Sequence, residues 1–348
     1  MEPIKFISPS NFYYWEKCPL KAVFSRNFKA INIPPSNQNG DLGTIIHKFL
    51  EKANEWQISD EKSFENKWIE LINEMENIYR GNTIQTNYLP VSWYCNYYAV
   101  KKICLKSTIL NKKYSIHLVD IDKIEKHEKW ISDEKYVGGI ADYLRYDSEG
   151  NIEEIVDFKT GGIYDIIEKK LKIKEEYQQQ LSLYAKLVFI KQNFIPKTYI
   201  QDIKGIKHNI ELSEDYINDI YERAILLWTK INDEIKKDTV SNLACVNESN
   251  CKNCDYRPHC DRYKEVYMNK IDISNVDITG IVQSISNFNE KFRLEIKIEN
   301  QSVKVIGDRI INEISEGQVV SIYNLFNSNT NSQIVKLFFT KRSIVVYE

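Results

Sequence analysis

The feature that most constrains this fold is a change of hydrophobic period after Tyr114. Before it, apolar residues recur at helical spacing. Ile45, Ile46, Phe49, Leu50, Ala53 and Trp56 form one stripe, its start marked by Asp41 and Gly43. The same spacing runs through residues 61–110, broken at 81–90 by a Gly, Asn and Pro cluster that reads as a loop. After it, HLVDIDKIEKHEKWI, KYVGGIADYLRYD and NIEEIVDFKT read as short strands, the last two joined by a turn at Ser148-Glu149-Gly150. Helical spacing returns over 175–191, a strand follows in IPKTYIQDIKG, and residues 213–237 form a further amphipathic helix. The pattern predicts an α/β class in which a small sheet is flanked by helices and residues 58–113 form a helical insertion.

A second change lies near Ile271. DITGIVQSIS, FRLEIKIEN, QSVKVIG, a short helical DRIINEI, GQVVSIYNLF and QIVKLFFTKRSIVVY give five strands with one helix between the third and fourth, the element order of an OB-fold barrel. The expected division is residues 1–270 and a small all-β barrel over 271–348. From Asp272 onward eight Lys and Arg stand against nine Asp and Glu, so charge alone does not favour a phosphate backbone there. Phe288, Phe292, Arg293, Tyr323 and Phe326 are candidates for a stacking face, although aromatics in small barrels more often fill the core.

The formal net charge of −2 over 348 residues carries no global basic signature, so any nucleic-acid surface must be local. No run of about eighteen apolar residues occurs, and Met1 to Phe12 lacks an apolar signal core. The expectation is a cytoplasmic protein with no membrane partner.

Asp157 and Lys159 stand two apart on an expected strand, so both leave one face while Val156 and Phe158 leave the other. Asp142 lies on the preceding strand, where hairpin pairing can bring a second carboxylate beside the first. Two close carboxylates repel unless a cation lies between them, and hard oxygen donors suit Mg2+ or Mn2+. Alone, an Asp-x-Lys on a strand reads as a surface ion pair. Its company is more telling: Gly43-x3-His47, Gly139-Ile140-Ala141-Asp142, Asp157-Phe158-Lys159-Thr160-Gly161 and Tyr177-x2-Gln180-Leu181-x2-Tyr184, in that order.

Over residues 6–262 this ordered set resembles the PD-(D/E)XK superfamily, specifically the RecB-like nucleases that include AddB and the CRISPR-associated RecB-like exonucleases. The resemblance implies a restriction-endonuclease-like core with a central mixed sheet. It implies His47, Asp142 and Asp157 as metal ligands for Mg2+ or Mn2+, Lys159 as the catalytic lysine, and Gln180 with Tyr184 as an accessory pair on the following helix, one turn apart. The family's usual Gly-x-Ile-Asp stands here as Gly-Ile-Ala-Asp, which leaves Asp142 in place. Taken singly, His47 reads as an ordinary helix histidine, Gln180 and Tyr184 as core caps, and Glu51 as structural.

Of seven cysteines, Cys251, Cys254 and Cys260 crowd one short loop, a density that points to metal binding. Cys18 matches the N-terminal cysteine of the family's iron–sulfur members, so the resemblance implies a 4Fe–4S cluster on Cys18, Cys251, Cys254 and Cys260. Zinc is the alternative, with Cys245 as a substitute ligand in a purely local site. Cys95 and Cys104 read as buried side chains and His259 as a bystander.

The resulting expectation is a metal-dependent deoxyribonuclease, an exonuclease or an enzyme of ends and single strands, in DNA repair, recombination or defence. No Gly-x4-Gly-Lys-Ser/Thr phosphate loop occurs, so unwinding would fall to a partner helicase. The competing expectation is a non-catalytic iron–sulfur or zinc scaffold that binds nucleic acid.

Overall fold

The computed structural model describes residues 1–28, 38–53, 55–81, 86, 89–115, 125–271, 275–288, 291–308, 314–328, 335–340 and 342–347. The chain divides into two compact units, one of residues 1–26, 37–78 and 89–243, the other of residues 27–36, 79–88 and 244–348. Residues 244–270, which the sequence pattern places with the first segment, therefore pack with the barrel.

In the first unit a five-stranded mixed sheet runs in the order β1-β2-β3-β6-β7, with β1 Glu125–Ser132, β2 Gly138–Tyr146, β3 Ile152–Lys159, β6 Lys197–Asp202 and β7 Lys207–Ile210. Strands β1 to β3 form an antiparallel meander, and β3 pairs in parallel with β6. A parallel neighbour requires a crossover, which helix α6, Glu175–Gln192, supplies. Strand β3 is central and nearly every residue along it is buried, as a strand covered on both faces should be. The turn between β2 and β3 rests on Gly150 at φ 85° and on Asp147, whose carboxylate accepts the amides of Glu149 and Asn151 at 2.9 and 2.8 Å. Between β3 and α6 the chain makes a hairpin absent from the sequence reading, β4 Tyr164–Ile167 with β5 Lys170–Ile173.

The preceding helices are α1 Phe12–Lys17, α2 Leu20–Asn27, α3 Gln38–Lys52, α4 Glu61–Arg80 and α5 Tyr97–Ser115. Helix α4 begins at Asp60 and Ser63, which exchange side-chain bonds with each other's amides at 2.8 and 3.2 Å. Its apolar row Phe64, Trp68, Leu71 is buried, with Phe64 and Trp68 packed on Phe49 of α3 at ring separations of 4.7 and 5.7 Å. The indole of Trp68 donates to Tyr97 of α5 at 2.8 Å, so the helical insertion braces α3 from behind. Helix α7, Glu214–Lys236, is capped by Ser213 and holds the N-terminal segment through Asn232, which bonds both the amide and the carbonyl of Ile4. No helix among the described residues is long and apolar enough to cross a membrane.

Among its described residues the second unit carries two short helices, α8 Glu248–Cys251 and α9 Asp261–Tyr267, and six strands: β8 Asn275–Phe288, β9 Lys291–Ile298, β10 Gln301–Gly307, β11 Val319–Asn327, β12 Lys336–Phe338 and β13 Ile344–Tyr347. Pairing runs β8–β9–β10–β12–β11 and back to β8, which closes a five-stranded OB-like barrel with β10 and β12 parallel and β13 appended to β11. Alternation along β9 sends Phe292, Leu294, Ile296 and Ile298 inward. Strand β11 bulges at Asn324, φ 61°, and that bend lets one strand serve β8, β12 and β13. The last strand of the sequence reading is split in two, because Thr340 and Ser343 turn the chain to donate their hydroxyls to the Asn324 carbonyl at 3.0 and 2.8 Å. The helix expected at DRIINEI falls mainly on residues 309–313, outside the described residues. Phe292 and Tyr323 are core, whereas Phe288 and Phe326 are exposed and Arg293 lies 4.9 Å over the Phe288 ring.

Candidate active site

The register of β2 and β3 places Tyr143 opposite Val156, and the next pair outward is Asp142 and Asp157. There the backbone ladder stops. Instead of a strand carbonyl, the Asp142 carboxylate accepts the Phe158 amide at 2.8 Å, so the strands part and two acids stand at the opening. The α6 side of the sheet thus carries Asp142, Asp157 and Lys159 together.

Asp157 is 3% exposed, and its Oδ1 accepts from Gln180 Nε2 at 2.6 Å. The same Gln180 takes a bond from Lys159 Nζ on its Oε1 at 3.0 Å, so one buried amide holds both the acid and the base of the tripeptide. Lys159 Nζ also lies 2.7 Å from Asp157 Oδ2 and 4.9 Å from the Tyr177 ring centre. The Asp157 Oδ2 contact is close enough for an ion pair but outside hydrogen-bond geometry, which leaves a buried carboxylate oxygen without a hydrogen bond. One turn beyond Gln180, the Tyr184 hydroxyl donates to the Ile140 carbonyl at 2.6 Å and fixes the end of β2 that carries Asp142. Burial and then the charges of Asp157 and Asp142 push the Tyr184 hydroxyl well above the usual phenol range, so it stays a donor. Burial likewise raises Tyr177 to about 12.

His47 arrives from the other face on α3. Its Nε2 donates to the Phe158 carbonyl at 2.9 Å and lies 3.4 Å from Asp142 Oδ2. With Nε2 donating, the lone pair of the neutral ring sits on Nδ1. Two glycines permit these approaches. A Cβ at Gly43 would stand 2.9 Å from Thr160 Oγ1, so Gly43, well inside α3 rather than at its start, lets the helix lie against the end of β3. A Cβ at Gly139 would meet Pro9 Cδ at 2.8 Å and the Tyr184 hydroxyl at 3.1 Å. The side chain of Glu51 lies outside the described residues.

The structure therefore brings His47, Asp142, Asp157, Lys159, Gln180 and Tyr184 into one site. Sequence reasoning missed the backbone of Phe158, whose amide holds Asp142 and whose carbonyl holds His47, since nothing in a residue's identity announces such use. The electrostatics suit a cation. Burial and then the neighbouring Asp157 charge raise the Asp142 carboxyl to about 7, against the opposing pull of His47, the Phe158 amide and Lys159. Two hard carboxylates, one with a buried oxygen lacking a hydrogen bond, fit Mg2+ or Mn2+ in donor type. Among the described residues no three of His, Cys, Asp and Glu yet converge as a finished ligand set.

Of the four cysteines that the resemblance implies as cluster ligands, Cys251 is buried and Cys18, Cys254 and Cys260 are partly buried. Cys251 packs with Tyr263, Tyr323 and Ile344, and Cys260 lies against that group. Cys104 is buried as expected, whereas Cys95 is exposed. The segment is anchored by a residue that the cysteine spacing conceals. Arg257, 4% exposed, meets Asp277 at 3.1 Å and donates to the Cys254 carbonyl and to Asn324, while Asp277 also accepts from the Tyr263 hydroxyl at 2.7 Å and the Asn324 amide at 2.8 Å.

Residues 7–261 match the family model of the PD-(D/E)XK nuclease superfamily. No curated protein matches the sequence. Among solved structures, a candidate exonuclease from Eubacterium rectale aligns at 12% identity over 78% of this chain and 91% of its own, with a TM-score of 0.42. The replication factor A related protein of Methanobacterium thermoautotrophicum aligns at 16% identity over 24% of this chain and 93% of its own, TM-score 0.21. The tetrameric p202 HIN2 aligns at 17% identity over 21% of this chain and 41% of its own, TM-score 0.20, so the match spans less than half of that protein.

Proposed function

This chain belongs to the PD-(D/E)XK nuclease superfamily, and from that premise we propose that it hydrolyses phosphodiester bonds of DNA with Mg2+ or Mn2+, acting at ends or on single strands. The observation that carries the reading is the parting of β2 and β3 at Asp142 and Asp157, with Lys159 Nζ 2.7 Å from Asp157 and both held by Gln180.

Asp142 and Asp157 would hold the metal, with His47 completing the set through a ring nitrogen. When bound, the ion supplies Lewis-acid polarisation of the phosphate and lowers the pKa of water. Gln180 sets the distance between Asp157 and Lys159, so the ammonium stands ready to orient a water or to offset charge that develops on the phosphate. Tyr184 and the Phe158 amide keep Asp142 from relaxing outward. Burial of Asp157 removes competing water and strengthens each of these interactions.

The test is cleavage of end-labelled single-stranded DNA by the full chain with Mg2+ or Mn2+, with and without EDTA, beside Asp157→Ala and Lys159→Ala. Metal-dependent cleavage lost in both variants is the expected result. Wild-type cleavage no greater than that of the variants would overturn the reading and leave the non-catalytic scaffold in its place.

A further inference from the structure

The β4–β5 hairpin leaves strand β3 five residues after Lys159 and returns to α6 at Lys174, so its two feet flank the candidate active site. Its cross-strand pairs are Tyr164 with Ile173, Asp165 with Lys172, Ile166 with Leu171 and Ile167 with Lys170. One face is thus wholly apolar and the other mostly charged. A two-stranded hairpin has no core of its own, and here the apolar face is not covered: Ile166 is 77% and Leu171 70% exposed. The tip is strained as well. Glu168 and Lys169 both take positive φ, 54° and 63°, in a two-residue turn of the class that ordinarily demands Asn or Gly.

The foot of the apolar face is tied to the sheet. The Tyr164 hydroxyl meets His208 Nδ1 at 2.8 Å, and the two rings cross edge to face at 5.5 Å. Since His208 is the second residue of β7, the foot of the apolar face lies near the β6–β7 turn, where Lys204 and Ile206 are exposed. Lys169, Lys170, Lys172 and Lys204 make no ion pair among the described residues. On the other side of the hairpin's base, Tyr177 lies beneath both Lys159 and Lys174, 4.9 and 5.7 Å from their ammonium groups. An exposed apolar face with a fixed aromatic at its foot and unpaired cations around its rim, next to a phosphodiester-cleaving site, matches a polyanion that also carries flat apolar groups.

We propose that this hairpin and the facing β6–β7 turn hold a single nucleic-acid strand on its way to or from the site, with bases against Tyr164, Ile166 and Leu171 and phosphates against Lys169, Lys170 and Lys204. A duplex hides its base faces, so this surface selects single strands or frayed ends. The inference rests on the nuclease reading and names its substrate class.

The experiment uses the full chain and a fluorescein-labelled oligodeoxythymidine, read by anisotropy across salt concentrations and by cleavage kinetics. Ile166→Ser/Leu171→Ser, both at exposed positions, should weaken binding about tenfold and raise KM in step while kcat stays within about twofold. Lys169→Gln/Lys170→Gln/Lys204→Gln should lower the slope of log affinity against log salt by about 2, at about 0.7 per lost single-strand phosphate contact. Variants that bind and cut like the wild type would overturn the proposal and leave the nuclease reading intact. Strand binding that the variants lose, in a wild type that does not cut, would support the surface and sink the nuclease reading; a wild type that neither binds nor cuts overturns both. A wild type that sediments as a dimer, with a monomeric Ile166→Ser/Leu171→Ser of unchanged DNA affinity, would assign the face to a second copy instead and overturn the proposal.

Discussion

Asp157 in the nuclease unit and Asp277 in the barrel unit are almost equally buried, 3% and 2% exposed, yet their surroundings differ in kind. Asp277 meets a guanidinium, a phenol and a backbone amide, all within 3.1 Å, and the guanidinium is itself placed by further bonds to Cys254 and Asn324. Asp157 has one oxygen that meets the Lys159 ammonium at 2.7 Å outside hydrogen-bond geometry, and a second carboxylate faces it across a parted ladder. A buried charge with every lone pair satisfied holds a fold together. One that is left short stores unfavourable energy that a bound cation can relieve.

Substitutions at the two acids should separate these roles. Asp157→Asn should cost on the order of 10³-fold in cleavage while the melting temperature holds or rises, because the repulsion from Asp142 disappears; a large fall in melting temperature would erase the contrast. Asp277→Ala should do the reverse. It leaves Arg257 buried without its partner and should destabilise the protein by about 3–5 kcal/mol by denaturant melts, while the folded fraction still cleaves. Gln180→Ala removes the amide that spans Asp157 and Lys159, and activity should fall about 10- to 100-fold with little change in stability. The smallest effect is expected of Tyr184→Phe, which loses one hydrogen bond to Ile140, about 1 kcal/mol of stability, and a few-fold in rate at most.

Much of the site can be read from the chain because its motifs lie on regular elements. A two-residue period puts Asp157 and Lys159 on one face, and a four-residue step puts Gln180 and Tyr184 on one side of a helix. Glycines at 43 and 139 also signal correctly, through close approach rather than through turns. Other features leave no such trace. The β4–β5 hairpin was missed because Glu168-Lys169 is not a turn-forming pair and because no core selects its apolar face.

The sequence by itself determined most of the element types, the order of the motifs and the closed OB-like barrel, since these follow from periods and turns that each residue shares with near neighbours. Only the tertiary structure decided that β2 and β3 part at two acids, that the Phe158 backbone holds both Asp142 and His47, and that Arg257 finds Asp277. Each of these is an agreement between groups far apart in the chain, where low dielectric makes a satisfied polar atom and an unsatisfied one differ by several kcal/mol, and no local pattern encodes which will result.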